Sequence, residues 1–496
     1  MDIPLRVDTT SSAPRHRQVY DSIRSAILTG RLRPGDRLPP TRALATQLSV
    51  SRTTVTEAYD QLRAEGYADG RLGSGTYVSP NLPEDGLHVA SRPEGRRHTG
   101  AETLKLSRWG RCIVGDEYRG LLKPDGDAEY RFDFRPQGVA HDGFPWDAWE
   151  SAVDRASRER SRLMLYPPSA GHPALREAIA AHVAAYRAVE CSPENIVVVN
   201  GSLQGMNLLA QLLLDAGERV AVEDPGYPAV RLAFEATGLV VDRVPVDGDG
   251  MIVDLLDELG PHRMVHVTPS HQLPTGATLS LARRLALLDH AERSGCVVLE
   301  DDYDSEFRYD GRPVESLQGL DRTGLVVYAG TFSKSVLAGL RIGFLVLPDQ
   351  LVGAVVAAKS LWDSGAPMLE QGALAQFMRN GDFERHIRRM RRLYRTRRDA
   401  LVGALSDTFG SAAAVGEHHG GLNLLVTLNW RLSEDDVIAR AHAVGVGLRG
   451  ASSHYSVPPP SATLLLGFGA LPEEDIRQGV RLLGSVLGVS GRVPAA

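Results

Sequence analysis

The sequence predicts an α/β protein with a small helical head and a large domain built on a mainly parallel sheet. The first eighty residues hold three short amphipathic segments followed by a glycine-rich stretch typical of a hairpin. Further along, short β-rich apolar runs alternate with amphipathic helical segments. A chain of 496 residues is also too long for one ordinary core, so more than one domain is expected.

The head begins with "RQVYDSIRSAILTGRL", where Val19 and Ile23 recur at helical spacing before Gly30 ends the helix. "LPPTRALATQLSV" predicts a second short helix with Leu44 on its apolar face. "SRTTVTEAYDQLRAEGY" predicts a third, which Ser51 caps, and "ADGRLGSGTYVSP" predicts a hairpin. Three helices followed by a hairpin predict a winged helix-turn-helix, which places the start of its third helix in the DNA major groove.

The candidate DNA-binding residues are guanidinium groups and small hydroxyls suited to base edges and phosphates. They are Ser51, Arg52, Thr53 and Thr54 at the helix start, Arg42 on the preceding helix and Arg71 in the wing. The alternative is a generic helical domain with ordinary surface arginines. The charge favours DNA weakly, since residues 1–80 carry +3 and the remainder −9.

The stretches "GRLRPGDRLPPTRALA" and "VSRTTVTEAYDQLRAEGY" closely resemble the GntR family of bacterial repressors. The resemblance covers about residues 13–78 and implies a double-stranded DNA operator as partner.

Composition excludes several other classes of protein. Cys112, Cys191 and Cys296 form no CxxC pair, so neither a disulfide frame nor a zinc site is expected, and no metal site is predicted. The N-terminus has no apolar signal-peptide core, and no apolar run is long enough to span a membrane. We therefore expect a cytoplasmic protein with no membrane partner.

The expected domains are a DNA-binding head over 1–80, a linker over 81–127 and a large domain over 128–490. The linker is rich in proline, glycine and charge, with room for a short helix around "LSRWGRCIV". Within the large domain, a smaller C-terminal α/β subdomain is expected at about 385–490.

Six apolar runs predict buried strands of the large sheet: "NIVVVN", "RVAVED", "MVHVTP", "CVVLEDD", "LVVYAGTF" and "GFLVLP". Ligands of such sheets bind beyond the carboxyl ends of the strands. Lys334 follows one of these ends, and it is one of only four lysines in the chain. An arginine cannot replace its primary amine as a nucleophile, because guanidinium stays protonated.

The polar residues near Lys334 fit pyridoxal 5'-phosphate, whose aldehyde forms a Schiff base with a lysine. Asp301 suits the pyridine nitrogen, Tyr303 the ring hydroxyl, and Tyr227 the ring face. The predicted phosphate site, at a Gly-Ser helix start and around the lysine, comprises Ser202, Thr331, Ser333 and Arg341, and Leu203 beside Ser202 is a further candidate cofactor-binding residue. Taken singly, each has a structural alternative, such as a strand-end cap for Asp301 or a core position for Tyr227.

The stretches "YPPSAGHPALREAIA", "EDPGYPAVR", "TPSHQLPTG", "LEDDYDSEFRYDG" and "GTFSKSVLAGLRIGF" resemble a fold-type I, class I aminotransferase domain. With the GntR-type head, the chain resembles the MocR subfamily of bacterial transcriptional regulators over nearly its whole length. The resemblance implies that Lys334 is the Schiff-base lysine and Asp301 the pyridine-nitrogen partner. It also implies a head-to-tail homodimer in which Tyr166 reaches the cofactor phosphate of the opposite subunit.

Two positions depart from the aminotransferase pattern. Leu273 stands before "PTG", where the enzymes carry an asparagine, and Leu465 stands where they carry the arginine that binds the substrate carboxylate. A leucine cannot pair with a carboxylate. Arg135 and Arg449 are possible substitutes, and structural or surface roles for both are the alternative.

A further arginine-rich segment, "ERHIRRMRRLYRTRRDAL", predicts a helix over 384–401. Its simplest interpretation is a solvated face over Ile387, Met390 and Leu393, and contact with bound DNA is the alternative.

We therefore expect a transcription factor whose aminotransferase-like domain senses pyridoxal phosphate and controls vitamin B6 synthesis or salvage. One alternative is a regulator that senses γ-aminobutyrate, D-alanine or taurine through an external aldimine. Another is a working aminotransferase whose head only autoregulates, against which Leu465 argues.

Overall fold

The computed structural model describes residues 13–71, 75–83, 105–115, 129–136, 139–140, 142–310, 315–417, 419–429 and 432–488, without the side chain of Arg71. The chain divides into two compact units, Met1–Lys105 and Leu106–Ala496.

The head has the predicted order of elements. These are α1 (Arg15–Leu28), α2 (Thr41–Leu48), α3 (Arg52–Ala64), β1 (Ala68–Arg71) and β2 (Gly75–Val78). The two strands pair antiparallel, so they form the wing that the glycine-rich stretch predicted. Val19, Ile23, Leu44 and Val55 are fully buried, which shows that each helix turns its apolar stripe into one shared core.

The large unit begins with a short helix, α4 (Arg108–Ile113), inside the stretch expected to be a linker. Thirteen further helices follow, together with several short 3-10 turns, within the described residues. They are α5 (Trp146–Ser157), α6 (Arg160–Leu163), α7 (Pro173–Arg187), α8 (Ser202–Leu213), α9 (Pro228–Thr237), α10 (Leu255–Leu259), α11 (Leu281–Ser294), α12 (Leu317–Leu320), α13 (Asp349–Asp363), α14 (Met368–Arg379), α15 (Asp382–Phe409) and α16 (Glu434–His442), with α17 (Glu473–Val486) at the C-terminal end.

The central sheet contains all six predicted strands and two that were not predicted. In chain order its described strands are β4 (Ile196–Val199), β5 (Arg219–Asp224), β6 (Val240–Asp247), β7 (Gly250–Met251), β8 (Met264–Val267), β9 (Val297–Asp302), β10 (Val326–Thr331) and β11 (Gly343–Val346). Their spatial order is β4-β11-β10-β9-β8-β5-β6-β7. The pairs from β10 through β6 are parallel, whereas β11 runs antiparallel to both its neighbours, so the sheet is mainly parallel as predicted.

Helices cover both faces of this sheet. Along β4, Ile196 and Val198 belong to a core with α7, α14 and α15, whereas Val197 and Val199 belong to a second core with α8 and α13. Because successive side chains of a strand point to opposite faces, an apolar run without alternation is the pattern of a strand buried on both sides. Strand β6 lacks that pattern because Asp242 and Arg243 interrupt it towards the sheet edge.

A smaller antiparallel sheet in the C-terminal part has the order β12 (Ala413–Val415), β13 (Asn423–Leu428) and β15 (Ala462–Gly467). The short β3 (Phe132–Asp133) pairs in parallel with β14 (Val446–Gly447), so a segment ahead of the central sheet also packs here.

The arginine-rich helix α15 has the predicted apolar face, with Ile387 and Met390 buried. Its arginines do not form one solvated face. Arg392 is exposed, but Arg397 and Arg398 are buried, and Arg397 Nη2 donates to Asp142 Oδ2 at 2.7 Å. The expectation of a solvated face is therefore wrong for Arg397 and Arg398, whereas Arg392 and Arg395 are exposed as expected.

No helix in the described part of the chain has the length and apolarity needed to cross a membrane.

Candidate functional site

A cavity of 540 Å³ lies at the C-terminal ends of β8, β9 and β10, where the sequence placed the site. Nine of the ten predicted cofactor-binding residues line it. They are Ser202, Leu203, Tyr227, Asp301, Tyr303, Thr331, Ser333, Lys334 and Arg341. Residues more than a hundred positions apart therefore meet around one volume, and this size is typical of a small-molecule site.

Lys334 enters the cavity from the turn after β10. None of the described residues accepts a hydrogen bond from its amine, whereas the buried Lys359 is paired with Asp363 at 2.7 Å. Burial lowers the pKa of Lys334, and the nearby Arg341 lowers it further, against an opposing effect of Asp304. A lowered pKa raises the fraction of neutral amine, which is the nucleophilic form.

One corner of the cavity collects hydroxyls, a guanidinium and a helix start. Ser202 is the first residue of α8, and Thr331 Oγ1 donates to Ser333 Oγ at 3.1 Å. Arg341 closes this corner against Gly201, whose φ is +86° and where an added Cβ would clash with the guanidinium. Free N–H groups at a helix start together with an arginine are a favourable site for a phosphate.

Asp301 is 3% exposed at the end of β9, and its Oδ1 has no hydrogen-bond partner. Its other oxygen lies 3.5 Å from His266 Nε2 on the neighbouring strand β8. Burial raises the pKa of this carboxyl, and His266 offsets the effect only partly. A buried carboxylate oxygen without a hydrogen-bond partner is costly, so a ligand N–H at Oδ1 would be favoured.

Tyr303 lines the same cavity, and its hydroxyl lies 3.0 Å from His271 Nδ1. The same nitrogen lies 3.1 Å from Asp304 Oδ2. Because a carboxylate only accepts, the proton between His271 and Asp304 sits on Nδ1. The Tyr303 hydroxyl can then accept from this nitrogen and keep its own proton to donate into the cavity. Burial raises the pKa of Tyr303 well above its usual value, so the phenol stays protonated.

Tyr227 lies just before α9 and presents a ring to the cavity. Burial raises the pKa of its phenol, and the neighbouring Asp301 raises it further. The ring is therefore neutral, which suits the stacking role predicted for it.

Both leucines that depart from the aminotransferase pattern line the cavity. Leu273 is half-buried, and Leu465 is 4% exposed in β15, opposite Leu425. Position 465, where the aminotransferase pattern predicts an arginine, therefore contributes an apolar side chain to the cavity.

Arg135 and Arg449, the two candidates to replace the missing carboxylate-binding arginine, lie in different places. Arg135 is bound at both ends of its guanidinium by Asp133, at 2.8 and 2.7 Å, and does not line the cavity. Arg449 lines it, next to His454. Burial lowers the pKa of His454 to about 4, so this imidazole is neutral near pH 7.

Tyr166, the tenth predicted residue, does not line the cavity and is 92% exposed. The adjacent Met164 and Leu165 are also exposed, as are Leu361 and Trp362 near the end of α13. The two segments meet, because a Cβ at Gly365 would contact Pro167. They form an apolar patch on the surface of this unit.

In the head, the start of α3 is accessible, with Ser51, Arg52 and Thr53 exposed and Thr54 half-buried. Ser51 Oγ accepts the Thr54 backbone N–H at 3.1 Å, which caps the helix as predicted. Arg42 is exposed on α2. Arg71 ends β1, but its side chain lies outside the described residues.

Two histidines of the site were not predicted. His266 was counted as part of an apolar strand, although a histidine inside such a run is itself a signal. His271 belongs to the quoted "HQLPTG" stretch, but its contact with Tyr303 joins two loops 32 positions apart.

The residues present fit pyridoxal 5'-phosphate. An unpartnered buried oxygen of Asp301, an unpaired lysine and the corner with the hydroxyls and the Arg341 guanidinium surround one cavity. These are the three groups that the ring nitrogen, the aldehyde and the phosphate require.

Comparison with known proteins matches both parts of the chain. The model for aminotransferase class I and II matches residues 138–439, and that for the gntR family of bacterial regulatory proteins matches residues 15–78. The probable rhizopine catabolism regulatory protein MocR of Rhizobium meliloti is 38% identical over 99% of this chain and 98% of its own.

Two further matches are a relative that covers nearly the whole chain and a solved structure that covers less of it. The pyridoxine biosynthesis transcriptional regulator PdxR of Corynebacterium glutamicum is 31% identical over 96% of both chains. Among solved structures, the α-aminoadipate aminotransferase LysN of Thermus thermophilus, complexed with N-(5'-phosphopyridoxyl)-L-leucine, is 29% identical with a TM-score of 0.69. It covers 77% of this chain and 97% of its own.

Proposed function

Because the chain belongs to the MocR-type regulators, which join a GntR-type head to an aminotransferase class I and II domain, we propose that it regulates transcription in response to pyridoxal 5'-phosphate. The effector site is the 540 Å³ cavity at Lys334. The DNA-binding residues are Ser51, Arg52, Thr53 and Thr54, with Arg42 and Arg71 on the phosphate backbone.

The proposal rests on one contrast: the cavity has groups suited to each part of the cofactor, but no cation at position 465. Lys334, Asp301 and the phosphate corner with Arg341 provide for the cofactor, but Leu465 is apolar where a substrate carboxylate would be bound. A site that binds the cofactor without orienting a substrate favours sensing over turnover.

The roles of the residues follow from their contacts. Arg341, Ser202 and Ser333 would hold the phosphate, and Asp301 would accept a hydrogen bond from the protonated ring nitrogen. The Tyr303 hydroxyl would donate a hydrogen bond to the ring oxygen while His271 holds the phenol in place. When bound, the cofactor supplies an aldehyde that a neutral amine can attack. Burial keeps a larger fraction of Lys334 neutral for this role.

Cofactor binding would change DNA affinity by a population shift. A ligand that binds one conformation more tightly raises the population of that conformation, and DNA selects among the same conformations. The signal would then be the cofactor itself, which points to control of vitamin B6 synthesis or salvage in the cytoplasm.

A homodimer would complete the site. Tyr166 is exposed within the apolar patch of Met164, Leu165, Leu361 and Trp362, which is suited to burial against a second copy. In that dimer Tyr166 would reach the cofactor phosphate of the partner.

A second candidate is a regulator that senses an amino acid. The position of Arg449 in the cavity favours it, since a guanidinium there could bind a carboxylate. Sequence identity does not choose between the two, because the chain is 38% identical to a rhizopine catabolism regulator and 31% identical to a pyridoxine regulator.

The test is operator affinity, measured by fluorescence anisotropy with and without pyridoxal phosphate. We expect the affinity of the wild-type chain to change, and that of Lys334→Ala to stay constant. Lys105→Ala is the matched control, because this exposed lysine can react with the aldehyde but lies outside the cavity.

A Lys334→Ala variant that responds as the wild type does would refute the proposed switch. A response that needs γ-aminobutyrate, D-alanine or taurine in addition to the cofactor would favour the second candidate.

A further inference from the structure

A second cavity of 370 Å³ lies beside the cofactor cavity. Its walls come from the loops after β8 and β9, from α7 and from the arginine-rich helix α15. Among the residues that line it, only Thr331 also lines the cofactor cavity. Its volume falls within the usual size of small-ligand pockets.

Arginines without carboxylate partners dominate this cavity. Within the described part of the chain, Arg308, Arg391 and Arg395 have no carboxylate within 4.0 Å. Arg391 donates to the Glu306 carbonyl at 3.0 and 2.8 Å, and Arg395 donates to the Tyr309 carbonyl. A backbone carbonyl orients a guanidinium but does not neutralise it.

The carboxylates of the same cavity are already engaged. Asp302 accepts hydrogen bonds from Arg187 and from the Tyr328 hydroxyl, both at 2.7 Å. Asp304 faces His271, and Glu306 lies 3.7 Å from His182. The charge left without a partner is therefore positive.

Two nitrogens that line the cavity have no hydrogen-bond partner: Nε2 of His271, a residue that is 8% exposed, and Nε of Arg308. Burial disfavours charge on His271, but the facing Asp304 outweighs it and raises the pKa of the imidazole. A protonated His271 has an N–H on Nε2 as well as on Nδ1, and a buried donor without an acceptor is costly.

We propose that this cavity, the arginine cavity, binds a small molecule bearing a carboxylate or phosphate, held by Arg308, Arg391 and His271. Bidentate guanidinium contacts select this chemistry. The site is distinct from the cofactor phosphate corner, which uses Arg341.

The arginine cavity is also positioned to influence the cofactor cavity. The Tyr303 hydroxyl lies 3.0 Å from His271 Nδ1, so one imidazole contacts the phenol of one cavity and lines the other. An anion on Nε2 would favour the protonated imidazole and change the hydrogen bond that Tyr303 receives. Anion binding itself does not depend on the proposed cofactor, but this coupling does.

The test uses isothermal titration calorimetry of the full chain without cofactor, with succinate and inorganic phosphate as probes and uncharged succinamide as their control. We expect saturable binding of at least one anion, with a Kd at or below about 1 mM, and none of succinamide. Arg308→Gln and Arg391→Gln should each weaken it about ten-fold or more. Arg392→Gln, an exposed neighbour on α15 that does not line the cavity, should bind as the wild type does.

Absence of saturable binding, equal binding of succinamide, or Arg308→Gln and Arg391→Gln variants within two-fold of the wild type would overturn the proposal. Circular dichroism establishes that each variant is folded. The variants also separate the two cavities, because an anion in the cofactor phosphate corner would be insensitive to Arg308.

The coupling is read from the absorbance of the bound cofactor. The bound anion should change the Kd of pyridoxal phosphate at least about three-fold in the wild type and not in Arg308→Gln, because linkage is reciprocal. An unchanged cofactor Kd beside Arg308-dependent anion binding would show that the two cavities are independent and that the coupling is wrong.

Discussion

Replacing Asp301 with asparagine tests the site most sharply, because its effects on stability and on cofactor binding have opposite signs. Asp301 is buried with one oxygen unpartnered and the other 3.5 Å from His266. An unsatisfied buried polar group costs about 1–3 kcal/mol. Asp301→Asn removes the charge at nearly constant shape. The free energy of unfolding of the chain without cofactor should therefore rise by about 1 kcal/mol. The protonated ring nitrogen loses its counter-charge, so the cofactor Kd should rise about 100-fold, or about 2.7 kcal/mol.

Asp302 is the matched control on the same strand. Its carboxylate pairs with the buried Arg187 at 2.7 Å and accepts from the Tyr328 hydroxyl. Asp302→Asn leaves a buried guanidinium without its partner, so it should destabilise the chain by about 3 kcal/mol. Asp301→Asn and Asp302→Asn should therefore change the free energy of unfolding in opposite directions. All five tryptophans of the sequence lie beyond residue 105, so tryptophan fluorescence in urea reports the unfolding of the large unit alone.

The gain in Asp301→Asn should depend on pH. Burial raises the pKa of Asp301 in the folded chain above its unfolded value of about 3.9. The folded state then binds more protons than the unfolded state between the two values. Wild-type stability therefore falls as pH rises through this window, and the advantage of Asp301→Asn grows with it. If Asp301→Asn destabilises the cofactor-free chain at pH 7, or leaves the cofactor Kd within three-fold, the assignment of Asp301 is refuted.

Two further predictions concern the phosphate corner and the head. Gly201→Ala should weaken cofactor binding about ten-fold or more in an absorbance titration, because a Cβ there clashes with Arg341. Gly217 also has a positive φ, +95°, but open space around it, so Gly217→Ala should leave the cofactor Kd unchanged. Equal losses in both variants would show that the clash with Arg341 is not the cause. Ser51→Ala removes the cap on Thr54 and should destabilise α3 by about 1 kcal/mol, seen as faster amide hydrogen exchange in its first turn; unchanged exchange would contradict a capping role.

Much of this architecture could be predicted from the sequence because its signals are local. Apolar runs such as Ile196–Val199 are buried on both faces, and helix stripes such as Val19 and Ile23 set the core of the head. The cofactor residues follow strand ends, and the carboxyl ends of parallel strands lie on one edge of a sheet. Nine of the ten predicted residues therefore meet in one cavity.

The parts that could not be predicted depend on contacts between distant segments. Strand β6 was missed because polar residues break its apolar pattern, and pairing with β5 stabilises it. Helical spacing alone could not show that Arg391 and Arg395 line a cavity, since that cavity also needs loops after β8 and β9. Asp133 holds Arg135 away from the cofactor cavity, and this pairing decides between the structural and the binding role that the sequence had left open for Arg135.

The central claim is that Lys334 holds the cofactor for sensing and does not support turnover. A half-transamination assay tests it directly, by following the absorbance of the cofactor-loaded chain with each common amino acid. We predict that the pyridoxal form persists with every amino acid, because Leu465 leaves no cation at the usual carboxylate position. Steady conversion to the pyridoxamine form with any of them would contradict the account.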